Sequence, residues 1–172
     1  MKKTVIIYST TDGQTKNICL RLREFSKDRK VIDVFSIEEI ESVNLSNYEK
    51  IILGASIRYG KHNRKVFDFV ERNKNILEKK NTSFFTVNVV ARKKEKNTPD
   101  TNPYMKKFLE LSGWKPDNLG VFAGKIDYPK YGFFDRQIIR LIMYITKGPT
   151  DTSQTYEFTD WKKVEEFATE VL

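Results

Sequence analysis

Five short apolar, β-rich runs alternate with helical patterns along this chain, and that alternation constrains its fold more than any other feature. Residues 5–8, 31–35, 50–55, 83–90 and 119–123 read as strands. Helical patterns cover residues 15–27, with Ile18, Leu22 and Phe25 on one face, and 63–79, with Val66, Phe69, Val70 and Leu77. Two more cover residues 101–111 and 160–172; in the last, Asp160 is the expected N-cap and Trp161, Val164, Phe167, Ala168 and Val171 point inward. The second strand is the most polar and belongs near an edge. The fourth is almost continuously apolar, which requires cover on both faces. Strands joined by helical crossovers imply an α/β fold, a doubly wound five-stranded parallel sheet with helices on both faces. Such sheets bind ligands beyond the carboxyl ends of the strands, where the strand order reverses. Three loops meet that condition: residues 9–15, 56–61 and 88–92.

The first loop is Ser9, Thr10, Thr11, Asp12, Gly13, Gln14 and Thr15, placed between the first strand and the first helix. Hydroxyls and a glycine shape it, and the helix behind it offers unpaired N–H groups and a positive dipole end to an anion. The chain has neither the lysine of a G-x-x-x-x-G-K-[ST] loop nor a G-x-G-x-x-G turn. Hydroxyls and amides without a cation suit one phosphomonoester better than a triphosphate, so a mononucleotide cofactor is the first expectation. The alternative is an ordinary strand-to-helix turn in which Thr15 or Ser9 caps its own backbone.

At 172 residues, the chain is expected to form a single domain, 1–172. No apolar run approaches the roughly 20 residues of a spanning helix, and residues 1–4 enter the first strand without a signal-peptide core, so a cytoplasmic protein is expected. Cys19 and His62 are the only cysteine and histidine, which excludes an internal disulfide and a Cys/His metal cluster. Cys19 reads as a small packing residue. The net charge of +8 is concentrated: residues 92–107 hold six Lys/Arg against two carboxylates, and residues 125–147 hold five against two. Such an excess points to an acidic ligand, an anionic membrane surface or nucleic acid.

Between the fifth strand and the last helix lies an insertion, about residues 126–155, richer in apolar side chains than a connection needs. Tyr128, Tyr131, Phe133 and Phe134 precede an aliphatic run from Ile138 to Ile145. Arg136 and Arg140 share one helical face and the rest is aliphatic or aromatic. This pattern fits a membrane-surface element or the wall of an apolar pocket, and equally a helix that simply packs on the domain.

With the first loop, this plan resembles the flavodoxin fold. Further stretches narrow the resemblance: Ile52 to Gly60, which contains Ala-Ser-Ile-Arg-Tyr-Gly; Asn88 to Lys93 with Thr98-Pro99; Tyr128-Pro129-Lys130-Tyr131 followed by Asp135-Arg136 and Leu141-Ile142-Met143; and Thr150-Asp151-Thr152 with Thr159-Asp160-Trp161. From end to end, the chain resembles the flavodoxin-like, quinone-dependent protoporphyrinogen IX dehydrogenases of bacteria. The resemblance implies oxidation of protoporphyrinogen IX to protoporphyrin IX in haem synthesis, in three two-electron rounds on a bound FMN. Menaquinone or ubiquinone then receives the electrons, and the protein associates peripherally with the inner face of the cytoplasmic membrane.

By the same resemblance, residues 9–15 hold the phosphate, with Asp12 shaping the turn rather than touching an anion its carboxylate would repel. Ser56, Ile57, Arg58, Tyr59 and Gly60 flank one edge of the isoalloxazine, with Tyr59 stacking on it. Asn88, Val89, Val90, Ala91 and Arg92 flank the other side through backbone groups. Arg58 and Arg92 are expected near the ring. A cation about 6 Å away, at an effective dielectric near 20, stabilises a negative charge by roughly 3 kcal/mol, which raises the two-electron potential. Tyr128, Lys130, Tyr131, Phe133, Phe134, Arg136 and Arg140 supply aromatic surface and cations for the macrocycle and its propionates, or for the membrane. No protein acid or base is indispensable, since the cofactor carries the chemistry. His62 is either a proton shuttle or a solvated loop residue, and Lys93, Lys94 and Lys96 meet lipid or propionate or are simply solvated. Competing readings are a basic flavodoxin-like electron carrier, a flavin reductase using NAD(P)H, and a non-enzymatic nucleic-acid module, for which no RRM, OB or helix-turn-helix signature exists.

Overall fold

The computed structural model describes residues 3–26 and 31–172. Its main sheet contains β1 (Lys3–Ser9), β2 (Val31–Ser36), β3 (Lys50–Arg58), β5 (Asn81–Val87) and β6 (Asn118–Phe122), in the order β2-β1-β3-β5-β6 and all parallel. The two-residue β4 (Lys61–His62) turns back antiparallel on the end of β3. The polar second strand is an edge, as its composition requires. β5 lies between β3 and β6, and six of its seven residues are buried.

Alternation along each strand divides the core into two layers. Val5, Ile7, Ile51, Leu53 and Phe84 face the layer of α2 (Arg64–Leu77) and α3 (Pro103–Ser112). Ile6, Tyr8, Ile52 and Phe85 face α1 (Gln14–Phe25) and α5 (Trp161–Val171). Val66, Phe69, Val70 and Leu77 of α2 are buried as the pattern requires, as are Val164, Phe167, Ala168 and Val171 of α5. The Phe85 ring lies over Gly54, its partner on β3: a Cβ at Gly54 would stand 2.2 Å from Phe85 Cζ. The glycine before the second ligand loop is therefore a packing requirement.

Several boundaries differ from the sequence reading. The fourth strand stops at Val87, because Asn88 caps a 3-10 turn, Val89–Arg92, its Oδ1 accepting from Ala91 N at 3.0 Å. Val89 and Val90 therefore leave the sheet. The first helix begins at Gln14, and Phe25, expected inside, is 51% exposed at its end; the expected continuation to Lys27 lies outside the described residues. Asp160 caps α5 as anticipated, accepting from Lys163 N at 3.2 Å. The insertion holds an antiparallel pair, β7 (Lys125–Asp127) and β8 (Thr155–Glu157), around α4 (Phe133–Ile145). Its core is Ile126, Tyr128, Tyr131, Ile139 and Met143.

Candidate functional site

The carboxyl ends of β1, β3, β5 and β6 open onto one cleft. Thr10, Thr11, Asp12, Gln14 and Thr15 line it from the first loop, residues 56–60 from the second, and Asn88, Val89 and Val90 from the third. About 150 Å³ of it is free, and Tyr131 and the α4 side chains Ile139, Ile142 and Met143 line it as well.

The first loop is built for an anion. Gly13 has φ 90°, a left-handed conformation natural only to glycine. It turns the chain into α1, and Thr10 Oγ1 fixes the turn by accepting from Gly13 N at 3.0 Å. The helices α2, α3 and α5 carry side-chain N-caps on Asn63, Asn102 and Asp160, whereas α1 and α4 have none; at α1 this leaves the first amides open beside the cleft. Thr15 is fully buried, and its Oγ1 is the one buried side-chain polar atom among the described residues without a hydrogen-bond partner. Neither Thr15 nor Ser9 caps the helix, so an ordinary self-capped turn does not describe this loop. An orphaned hydroxyl costs about 1–3 kcal/mol when nothing pairs with it, and a phosphate oxygen would satisfy it. The residues present thus fit a phosphomonoester such as that of FMN.

Four expected residues of these loops stand behind the wall. Ser9 ends β1, buried in the sheet, and Gly13 shapes the turn without facing the cleft. Ala91 packs into the α2/α3 layer. The Arg92 guanidinium donates to Val89 O at 3.0 Å and to Thr146 O and Oγ1 at 3.0 and 3.1 Å, so these donors tie the turn to the end of α4 and do not line the cleft. Gln14 lines the cleft, but its amide donates to Thr159 Oγ1 at 2.9 Å and Glu157 Oε1 at 3.3 Å, across to the chain before α5.

Arg58 lies in the cleft as expected but is not a free cation. Asp12 pairs with it at 3.1 Å and Asp135 at 3.9 Å, and it covers the rings of Tyr59 at 5.4 Å and Tyr131 at 5.1 Å. Its field at the cleft is therefore opposed by two carboxylates. Asp12 is pushed above the usual carboxylate range by burial, which outweighs the opposing pull of Arg58. Tyr59 sits at φ 49°, followed by Gly60 at φ 74°, in a two-residue hairpin loop with both central residues left-handed. Its hydroxyl bonds Asp135 of α4. Lys125, Gly124, Ile126 and Tyr104 also line the cleft. The first three follow the fifth strand and so lie on the ligand edge by the same topological rule that selected the other loops; Tyr104 carries no comparable signal.

The insertion residues divide. Tyr128 is fully buried, donating to Pro149 O at 2.8 Å, so it is a core residue and not a substrate or membrane contact. Tyr131 is buried but faces the cleft, and its hydroxyl accepts from Asp127 N at 3.2 Å. Arg136 donates to Tyr128 O at 3.2 Å and Tyr131 O at 3.0 Å, bracing the 3-10 turn between β7 and α4. Lys130 pairs with Asp127 at 3.2 Å. Phe133, Phe134 and Arg140 are exposed away from the cleft. Ile138, Leu141, Ile142, Tyr144 and Ile145 are also exposed, making one apolar face on α4.

His62 is neither a solvated loop residue nor part of the cleft. It packs edge-on to Phe67, Phe84 and Phe108 at 6.4, 5.9 and 5.2 Å, with Nε2 2.9 Å from Thr86 Oγ1. Burial pushes its pKa down to about 4. Burial pushes the Cys19 thiol up, which leaves it protonated and inert at neutral pH.

The fold and cleft are those of a flavodoxin-type cofactor-binding protein. The flavodoxin domain family matches residues 5–153. The chain is 42% identical, over 98% of its length and 94% of the relative's, to protoporphyrinogen IX dehydrogenase [quinone] of Escherichia coli (strain K12). It is 44% identical to the protein of the same name from Leishmania major, over 98% of this chain and 74% of that one. It belongs to the flavodoxin-like, quinone-dependent protoporphyrinogen IX dehydrogenase family. Among solved structures, the oxidised Flavodoxins 2 and 1 from Bacillus cereus superpose with TM-scores of 0.55 and 0.54 at 18% identity, covering 97% and 99% of this chain and 95% and 97% of theirs. These two share the fold.

The depressed pKa of His62 sets a pH dependence. The unfolded chain takes up this proton near pH 6.5 and the folded chain near 4, so stability is present above 6.5 and is lost as pH falls through that window. The loss should amount to ~3 kcal/mol. Urea unfolding at pH 7.0 and 5.0 should show the decline in the parent and a flatter profile in His62→Gln; equal slopes would assign the decline elsewhere.

Proposed function

We propose that this chain binds FMN and oxidises protoporphyrinogen IX to protoporphyrin IX, passing the electrons to menaquinone or ubiquinone. Identity of 42–44% across nearly the whole chain to enzymes of that name carries the reaction. The uncapped N-terminus of α1 and the unpartnered Thr15 hydroxyl carry the cofactor. FMN supplies the two-electron chemistry.

The chain's own residues hold, orient and enclose. Thr10, Thr11, Thr15 and the first amides of α1 take the phosphate, while Asp12 stays on Arg58. Residues 56–60 and 88–90 flank the ring system. Lys125, at the end of the fifth strand, is the cleft cation without an ion pair within 4 Å among the described residues, so it replaces Arg58 and Arg92 as the counter-charge for a propionate or an electron-rich ring. Because the free space is smaller than pockets of roughly 300–1,000 Å³ that enclose such ligands, α4 must shift outward to admit the macrocycle. The single domain, 1–172, works from the cytoplasmic side of the membrane.

Membrane association rests on α4. No helix among the described residues is long and apolar enough to cross a bilayer. On α4, however, Phe134, Ile138, Leu141 and Ile145 form a stripe exposed by 45–80%, flanked by Arg140 and Lys147. Burying one such side chain is worth ~1.5–3 kcal/mol. A 13-residue helix of this kind lies in the interface, its cations meeting anionic headgroups.

Incubated anaerobically with protoporphyrinogen IX and menadione, the FMN-loaded protein should generate porphyrin fluorescence; loaded protein that generates none would be the electron carrier instead. Thr15→Val should leave the stability of the cofactor-free protein unchanged or higher, since no protein bond is lost. It should weaken FMN by roughly 10–100-fold, the equivalent of one hydrogen bond to a charged group, as titrated by flavin fluorescence. Co-sedimentation with phosphatidylglycerol vesicles should be strong for the parent and at least tenfold weaker for Phe134→Ser/Leu141→Ser; equal sedimentation of the two would remove α4 as the membrane element.

A further inference from the structure

A second groove lies beyond Gly60 and Tyr104, which line both it and the cofactor cleft. Its volume is about 460 Å³, inside the range of pockets that enclose small organic ligands. The Tyr59-Gly60 hairpin folds β4 back along β3 and places His62 in its wall, opposite Phe67 of α2 and Phe108 of α3. These three rings stand within 6.4 Å of one another, edge-on or tilted. Leu111, an apolar residue 64% exposed, lies at the groove as well.

We propose that this groove receives the quinone acceptor, its ring against the part-exposed Phe67, with Phe108 fully buried behind the wall, and one carbonyl within hydrogen-bonding reach of His62. The assignment rests on the reading of the chain as a quinone-linked dehydrogenase and adds a separate acceptor site to it. Aromatic walls suit a flat, uncharged ring. A tetrapyrrole is larger than a quinone ring, and its place is the cofactor cleft once α4 has shifted outward. Imidazole Nε2 is engaged by Thr86, whereas Nδ1 has no protein partner among the described residues. Burial keeps that imidazole uncharged at neutral pH, so the aromatic part of the wall carries no charge. Five charged side chains also line the groove: Arg64 and Asp68 pair at 3.7 Å, and Lys61, Glu71 and Lys107 stand beside them. Leu111 extends the apolar surface beside the ring and along the path by which a prenyl chain would leave.

The two sites are joined through the protein. Thr86 Oγ1 is shared between His62 Nε2 at 2.9 Å and Asn88 Nδ2 at 3.4 Å, and Asn88 heads the turn flanking the cofactor cleft. Reduced FMN, when bound, would supply two electrons to the quinone and two protons to solvent in each round. Two protons from solvent would complete the quinol, while His62 Nδ1 holds one quinone carbonyl by a hydrogen bond.

The test uses the FMN-loaded full chain carrying Trp161→Phe, which leaves Trp114, 6.4 Å from Phe108 and edge-on to it, as the fluorescent reporter. Menadione should quench Trp114 saturably, and Leu111→Glu and His62→Leu should each weaken that binding and raise the menadione KM at least tenfold. Porphyrin formation with ferricyanide, which accepts electrons without this groove, should be unchanged in both variants. Absence of saturable quenching, unchanged menadione binding and KM in both variants, or saturation by NADPH in place of menadione would overturn the assignment. Failure of the dye-coupled reaction in the parent would instead refute the dehydrogenase reading.

Discussion

The parallel pairing of β1 with β3 is the constraint on which the ligand face depends. It sets Ser9 opposite Ala55, so the hydroxyl loop and residues 56–60 leave the sheet side by side. The next pair sets Ser56 opposite Val87 and delivers the third loop to the same edge. Because the order runs β2-β1-β3, the chain departs in opposite directions from β1 and β3, and a crevice opens between their carboxyl ends. The crevice follows from strand order before any of its side chains is considered.

A buried pair of amides stabilises the third wall. Asn88 and Asn102 are 3% and 0% exposed and exchange hydrogen bonds, Asn102 Nδ2 donating to Asn88 Oδ1 at 3.1 Å and Asn88 Nδ2 to Asn102 Oδ1 at 3.3 Å. Asn102 also caps α3, accepting from Tyr104 N and Met105 N, and donates to Lys96 O at 2.8 Å. One side chain thus ties the start of α3, the basic segment before it and the turn beside the cleft. Each bond in so dry a place is costly to leave unmade, which gives the turn a defined shape although it contains no regular strand.

Helix α4 is held differently, by polar clamps at its two ends over a thin apolar contact. Near its start Asp135 meets Tyr59 and Arg58, and at its end Thr146 meets Arg92. Between them Ile139 and Met143 are its buried side chains. Gly148 follows so closely that a Cβ there would stand 2.6 Å from Met143 Sδ and 3.0 Å from Arg92 Nη2. A helix with few buried contacts and exchangeable polar ties is the part of this molecule best suited to move, and it carries the apolar stripe. Opening of the cleft and contact with a lipid surface therefore involve one element.

By itself the sequence determined the alternation of strands and helices, the edge position of β2, the burial of β5 and the three loops of the ligand edge, because periodicity and apolar content act locally and a parallel sheet accepts few orders. It also marked Asp160 as a cap, since that bond spans three residues. Only the tertiary structure decided which polar groups remain free. Arg58 and Arg92 look like equal cations in the chain, yet one is paired with Asp12, 46 positions away, and the other with Thr146, 54 positions away. Tyr128 and Tyr131 look alike and divide into core and cleft, and His62 leaves its loop for an aromatic groove. Partners so distant in sequence are set by packing, whose outcome no local pattern records; the same packing leaves Thr15 without a partner.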